Sequence, residues 1–561
     1  MIEKLYVVFC LLTSIYASSA FSLDLINIRS KSTPSEKLAI QACIGLYNGK
    51  YGGSVFATRN NQYPEWPKSM NFEGSSLVED VSFLKDCLRE FPRCIRYSYA
   101  KQQKLIPNII TVGAVLEAIP LDEKMDNACN EVVFDANVEF KRRNTPYLAT
   151  KYVYEKFVNR TTGLAMFNPG YGTKSERVWK PGIVRDVNSS LVDFIYSRKL
   201  FAIFLVNGCI KVTKEHGLLN RITVKNPWEK PIAVYGYNNS WNVFGGFLFE
   251  AQTKCNRSRN MGAVPTDGVT NLSYFSTRRS PINNIHEIRQ NKVGKFKYDR
   301  KKTYVAFVVG DGDNISYIMS SRRRWFLERL SMCPENNSCP PLTWTISPHL
   351  LHLAPDVLDW YYDIAKKTGN DFFMLPPSGH LYAYPSSMKK DAQDRFIELT
   401  ERDARLLGTK STMNWEWWTS WRRAEKRVLR KYAKKNGVIG GVFPVNVPFM
   451  FPTFTWKKDQ FHKILIGDDG GKVVLFRPRQ WRGIHGKGNS ITKNFFLTPK
   501  DMASELSKYP RGTVSYVYMT SDGGLNLKNS FMTMAKLLPK HVQLVSADKA
   551  IELALAASSA K

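Results

Sequence analysis

The stretch TYVAFVVGDGDN, residues 303–314, carries a mostly apolar run into a glycine turn that holds two aspartates and an asparagine. A continuous run of β-branched and aromatic residues without alternation reads as a strand buried on both faces, as in parallel sheets covered by helices. Similar runs recur downstream at 342–347, 371–375, 411–415, 438–443, 472–478, 513–520 and 541–547. Helix-like segments separate them at 321–332, 355–367, 389–407, 421–435, 499–508 and 526–537, and one more follows at 547–557. Ala354-Pro355 and Thr498-Pro499 mark two helix starts, with Pro in the first turn and Thr498 as N-cap. Strands nearly all followed by helices predict an α/β architecture, a TIM-like (β/α)8 barrel over 300–561, with an open doubly wound sheet as the alternative. The segment 444–471 has no clear helix and is the weakest unit in this pattern.

Upstream of the barrel, NKVGKFKYDRKK (291–302) is polar and basic and marks the main boundary. Residues 21–290 read as mixed α/β accessory domains, two or three in number. Helices are expected there at 76–90, 145–158 and 187–199, and strands at 132–140, 199–206 and 230–237. Residues 1–20 place Lys4 before an apolar run to about Tyr16 and end in the small Ser18 and Ala20. This is the layout of a signal peptide, too short to span a bilayer comfortably. A secreted chain, or one lumenal in the secretory or lysosomal pathway, is therefore expected, with no membrane anchor.

Cysteine usage points the same way. Beyond Cys10 an even set remains: Cys43, Cys87, Cys94, Cys129, Cys209, Cys255, Cys333 and Cys339. In an exported chain these suit disulfides, with Cys333–Cys339 the favoured pair and Cys87–Cys94 the next. N-x-S/T sequons begin at Asn159, Asn188, Asn238, Asn256, Asn271, Asn314 and Asn336, which predicts glycosylation in a eukaryotic host. No CxxC or His-rich spacing supports a metal site, and no cofactor is expected.

The chain has 561 residues, 43% hydrophobic and 23% charged, and a formal charge of +31. The length calls for more than one core, and the charge suits an anionic polysaccharide, acidic membrane or nucleic acid. The basic residues are dispersed, however, and the densest cluster, WRRAEKRVLRKYAKK (421–435), is spaced like the solvated face of a helix. No helix-turn-helix, RNP or zinc-finger pattern occurs, so no nucleic-acid partner is expected.

Chemistry in such a barrel sits at the carboxyl ends of the strands. After the first strand, GDGDN presents Asp311, Asp313 and Asn314. A calcium loop is excluded because Ile315 takes the third ligand position and no glutamate follows at the right spacing; the bland alternative is an Asx turn capping the next helix. After the second strand, SPHLLH (347–352) brings His349 toward the rim or simply builds the turn. After the third, PPSGHLYAYP (376–385) supplies Gly379, His380, Tyr382 and Tyr384. After the fourth, NWEWWTSW (414–421) supplies Asn414, Glu416 and Trp417. Aromatic faces there stack on sugar rings while amides and carboxylates bind hydroxyls, unless the tryptophans pack between helix and barrel. RPRQWRGIHGKG (477–488) adds Arg477, Arg479, Trp481 and His485, and TSDGG (520–524) adds Asp522, as rim acid or turn aspartate. Hydrolysis of a glycosidic bond needs two carboxyl groups, and Asp311, Asp313, Glu416 and Asp522 are the candidates.

GHLYAYP (379–385) resembles the signature of the GxGYxYP putative glycoside hydrolase family: Gly379, Tyr382, Tyr384 and Pro385 match, while Leu381 stands at the family's second glycine. VVGDGDN, SPHLLHLAPDVLDWYY and, upstream, VYGYNNSW, FLFEAQTKC and TNLSYFS are similar to family segments as well, so the resemblance runs from about residue 110 to the end. It implies a TIM-like carboxyl-terminal domain, amino-terminal accessory domains and carbohydrate processing. The expectation is a glycoside hydrolase whose carbohydrate substrate is anionic if the charge is complementary. Asp311 and Asp313 would be its rim acids, Glu416 its proton donor, and Tyr382, Tyr384, His380 and Trp417 its sugar subsite. A non-catalytic glycan-binding protein is the alternative, and a divalent-metal hydrolase or deacetylase at Asp311 and Asp313 ranks last. Asn314 is expected to carry no glycan, which would obstruct the site.

Overall fold

A computed structural model describes residues 23–29, 31–59, 66, 75–167, 169, 191–205, 207–236, 260–266, 269–278, 288, 290–292, 294–333, 339–417, 420–445, 456–457, 459–484, 495–520 and 525–560. The amino-terminal region builds three small parallel sheets. In the first, β1 (Leu23–Ile28) lies between β2 (Val55–Arg59) and β3 (Ser75–Glu79). In the second, β4 (Arg93–Tyr97) lies between β5 (Ile119–Asp122) and β6 (Glu131–Asp135). The third comprises β7 (Leu164–Met166), β8 (Phe201–Ile203), β9 (Ile232–Tyr235) and β10 (Met261–Val264), in the order β10-β9-β7-β8. Helix Pro34–Tyr51 binds these units together. It starts with a capping box between Thr33 and Glu36 and is buried on most of its surface, because helix Val192–Arg198 and β5 pack against it.

The disulfides correct one pairing. Cys43–Cys87, Cys94–Cys129 and Cys333–Cys339 form among the described residues, so Cys333–Cys339 is as expected and Cys87–Cys94 is not. Cys87 lies on helix Asp80–Glu90 and meets Cys43 on helix Pro34–Tyr51, whereas Cys94 lies on β4, beside β6 and the segment that precedes it. Closeness in sequence is outweighed by the faces on which the two side chains emerge.

All eight strands read from the carboxyl-terminal sequence are present: β11 (Thr303–Val309), β12 (Leu342–Thr345), β13 (Asp371–Met374), β14 (Ser411–Asn414), β15 (Gly441–Pro444), β17 (Lys472–Phe476), β19 (Val514–Met519) and β20 (Val542–Val545). Two more appear, β16 (His462–Ile466) and β18 (Gln480–Trp481). One sheet runs β13-β12-β11-β19-β18, with β20 also on β11, and a second runs β14-β15-β17-β16. An isolated bridge between Leu375 and Thr412 links them.

The expected barrel is not closed among the described residues. β16 enters antiparallel to β17 and ends the second sheet, and β18 ends the first. The last helix, Ala547–Ser559, packs against β11, β16, β17 and β19. Its Ala550, Ile551, Ala554 and Ala557 join Tyr304, Ala306, Val308, Val474 and Tyr516 in one buried cluster. The alternate residues Val305, Phe307 and Val309 of β11 face a second, larger core. Both faces of β11 are thus buried, as its sequence requires. The small alanines of the helix let it lie close to the strands. The result is a mixed α/β fold built on parallel sheets.

The strand β10 meets the carboxyl-terminal loops directly. Ala263 and Tyr382 exchange backbone hydrogen bonds of 2.9 and 3.0 Å, and the Ile315 N–H donates to the Pro265 carbonyl at 2.9 Å.

Candidate functional site

The loop after β11 is shaped by its neighbours. A Cβ on Gly312 would lie 1.9 Å from the carbonyl oxygen of Thr345 at the end of β12. Asp311 takes a left-handed backbone, φ 63°, a conformation uncommon for a residue with a side chain and enriched at functional sites. The Asx cap foreseen as the bland alternative is made by Asn314, whose Oδ1 accepts the Tyr317 N–H at 3.1 Å, so neither aspartate is used as the cap. Asp313 keeps some exposed surface but sits deep between strand ends. That setting, then the charge on Asp311, pushes its carboxyl up to about 7, against an opposing pull from Arg322.

Arg322 went unnoticed in the sequence, where it is one basic residue in SRRRW. It is 2% exposed. Its guanidinium donates to the Thr345 carbonyl at 2.8 Å and to the Gly310 carbonyl, and lies 5.2 Å from the Tyr317 ring and 5.3 Å from the Trp344 ring. It forms no ion pair among the described residues. It therefore holds the ends of β11 and β12 together while placing a buried cation beside the acidic loop. Tyr518 of β19 completes the surround: its hydroxyl accepts the Asp311 N–H, and burial, then the charges on Asp311 and Asp313, raise its pKa well above 10.

The signature loop leaves β13 through Pro376 and Pro377, with a cis Pro377–Ser378 peptide. The Ser378 hydroxyl accepts the Trp415 N–H at 2.7 Å and lies 2.9 Å from the Ala383 carbonyl, which ties this loop to the one after β14. Gly379 has φ +98°, and a Cβ there would lie 2.5 Å from Thr400 Cγ2. Leu381, at the family's glycine position, needs no positive φ and seats its side chain on Gly262 of β10, where an added Cβ would approach it to 2.5 Å.

Two residues expected to wall a sugar subsite are packed instead. Tyr382 and Tyr384 are buried, with rings 4.5 and 5.5 Å from that of Trp415. Trp415 was missed as the hub; it lies inside NWEWW but gives no signal distinguishing it from its neighbours. Trp417 packs on Tyr384 at 6.2 Å and keeps a partly exposed face.

Glu416 is sealed. It is 0% exposed; Oε1 accepts the Ser386 N–H at 2.8 Å and Oε2 the Ser386 hydroxyl at 2.6 Å. Burial pushes it up to about 8, with Ser386 opposing. It joins the exits of β13 and β14 rather than facing an open cleft, and Asn414 is buried near it.

His349 is buried, with Nε2 2.7 Å from the His380 carbonyl and Nδ1 3.5 Å from His352 Nε2. Burial, then the charges of His380 and His352, hold its pKa well below 6.5. His380 Nδ1 lies 2.6 Å from Asp403 Oδ2, an unforeseen partner from helix Lys390–Leu406. Trp481 does not join the site: it is fully buried, its Nε1 donating to the Leu497 carbonyl at 2.8 Å. Arg477 donates to the Lys457 carbonyl at 3.2 Å, and Arg479 makes a two-point ion pair with Glu505, 2.6 Å at each contact. Asp522 and His485 lie outside the described residues. Among the described residues no group of three or more His, Cys, Asp or Glu is placed to hold a metal, and no helix is long and apolar enough to cross a membrane.

The parallel sheets with helices on their faces define a mixed α/β class. Residues 301–451 match the family model of the GxGYxYP putative glycoside hydrolase C-terminal domain, which bears out the resemblance read from GHLYAYP. Among solved structures, a putative hydrolase from Bacteroides thetaiotaomicron VPI-5482 is similar over 95% of this chain and 94% of its own, at 18% identity and a TM-score of 0.68. That likeness extends the shared fold over both regions. A 4-alpha-glucanotransferase from Thermococcus litoralis aligns over 45% of this chain and 40% of its own, at 14% identity and a TM-score of 0.30. No curated protein matches the chain.

Proposed function

We propose that the protein is an exported glycoside hydrolase in which Asp313 is the general acid and Asp311 the second carboxyl group. The observation that carries this reading is the Asp313 carboxyl, pushed up to about 7 beside Asp311 on a loop wedged against Thr345. An acid that retains its proton near neutral pH can protonate a leaving glycosidic oxygen, while its charged partner stabilises or attacks the anomeric centre. Arg322 holds the loop and limits the rise. The partly exposed face of Trp417, backed by Tyr384, offers an apolar plane for a sugar ring. Disulfides among the described residues suit an oxidising compartment.

Sealing of Glu416 favours a second reading, a glycan-binding protein without turnover, since it removes one foreseen proton donor. A panel of polysaccharides separates the two. The expected outcome is release of reducing ends by the wild type and its loss in Asp313→Asn and Asp311→Asn. Binding without release by the wild type would favour the second reading, and cleavage by Asp313→Asn at the wild-type rate would end the first.

A further inference from the structure

We propose that the outer face of helix Trp421–Arg427, continued by Arg430, is a binding track for an anionic polysaccharide. The track extends the site after β14. It rests on the carbohydrate reading above and adds the substrate's charge.

The segment is anchored from beneath by Trp421, Ala424, Leu429 and Tyr432, all buried. Arg422, Arg423, Lys426, Arg427 and Arg430 are exposed. The one acid of the helix, Glu425, is taken by Lys463 at 2.5 Å. Arg422, Lys426, Arg427 and Arg430 form no ion pair among the described residues. Arg422 with Lys426, and Arg423 with Arg427, are like charges one helical turn apart, an arrangement that destabilises an isolated helix. The fold thus keeps a row of mutually repelling cations that an anionic chain would neutralise.

The row joins the candidate site. The Ser420 N–H donates to the Trp417 carbonyl at 2.7 Å, and Arg423 bonds the Ser420 hydroxyl at 3.1 Å. The helix packs on the Pro385–Ser387 turn that ends the signature loop, and the charge of Arg423 reaches Glu416. A chain laid along the arginines would therefore arrive at the exposed face of Trp417. Charge complementarity and this continuity together select an anionic carbohydrate as the occupant.

The test compares the wild type with a variant carrying Arg422→Gln, Lys426→Gln, Arg427→Gln and Arg430→Gln. A control variant carries Lys101→Gln, Arg142→Gln, Lys211→Gln and Lys214→Gln, remote exposed positions with the same loss of charge. Binding to dextran sulfate, polygalacturonate, neutral dextran and single-stranded DNA is measured over a salt series, with thermal unfolding to check the fold. The helix variant is expected to lose about sixteenfold in affinity for dextran sulfate or polygalacturonate, as four exposed ion pairs of roughly twofold each would give, and the control much less. Whichever of the two polyanions shows the larger loss assigns sulfate or carboxylate. Equal losses in both variants, or wild-type preference for DNA, would overturn the proposal. The track is read by binding and the hydrolase reading by release of reducing ends, so failure of hydrolysis and failure of the track are told apart.

Discussion

The loops after β11 and β14 both end a buried strand and both carry a carboxyl group raised well above its ordinary value, yet the two groups differ in access and in what surrounds them. Asp313 keeps exposed surface and owes part of its shift to a neighbouring acid. Glu416 has no exposed surface, and both of its oxygens accept hydrogen bonds from Ser386. A raised pKa therefore does not by itself mark a proton donor. Access and the chemical source of the shift decide, and burial alone can make a carboxyl group into a structural clasp.

This contrast can be broken by substitution. The largest effect is expected for Asp313→Asn: a fall in kcat of roughly 10²–10⁴, the range for loss of a general acid, with no fall in melting temperature because a repelling carboxyl group is removed. Loss of stability alongside activity would put Asp313 with Glu416. Next comes Glu416→Ala, which should lower unfolding free energy in urea by about 1–3 kcal/mol, since buried Ser386 groups lose their partner. Stability unchanged in that variant would break the clasp assignment.

Glu416→Gln sharpens the comparison through pH. The folded carboxyl, at about 8 against an ordinary 4.5, binds its proton more tightly than in the unfolded chain. Its contribution is fully present below about 4.5 and is lost as pH rises through about 8. Urea midpoints between these limits should fall less steeply in Glu416→Gln than in the wild type. The smallest effect is expected for His349→Gln. His349 is held neutral in the fold, so its contribution is lost as pH falls below about 6.5; the variant should show a flatter acid limb in the same titration.

Much of the carboxyl-terminal fold was legible because its strands are continuous apolar runs, a local signal. β16 was not legible, since HKILI lies in the 444–471 stretch that lacked a clear element, and its antiparallel pairing is set by β17. Closure was illegible for a related reason: whether edge strands meet depends on long-range register, and here the alanine-rich last helix packs along the strands instead. At the site, the acidic turn was found from its place after a strand. Arg322 and Asp403 were not, because a buried arginine and a helical aspartate look like surface residues until the partner is known. Trp481 erred in the opposite direction, its Nε1 satisfied by a carbonyl within the core.

The contact between β10 and the signature loop makes two distant positions answer to each other. Leu381 occupies the space that a side chain at residue 262 would need, so glycine at 262 is the condition on which leucine at 381 is admitted. Glycine at 381 would release 262 from that constraint. A side chain at 262 is therefore expected to be tolerated with glycine at 381 and not with leucine there, which couples the amino-terminal sheet to the signature loop at that point.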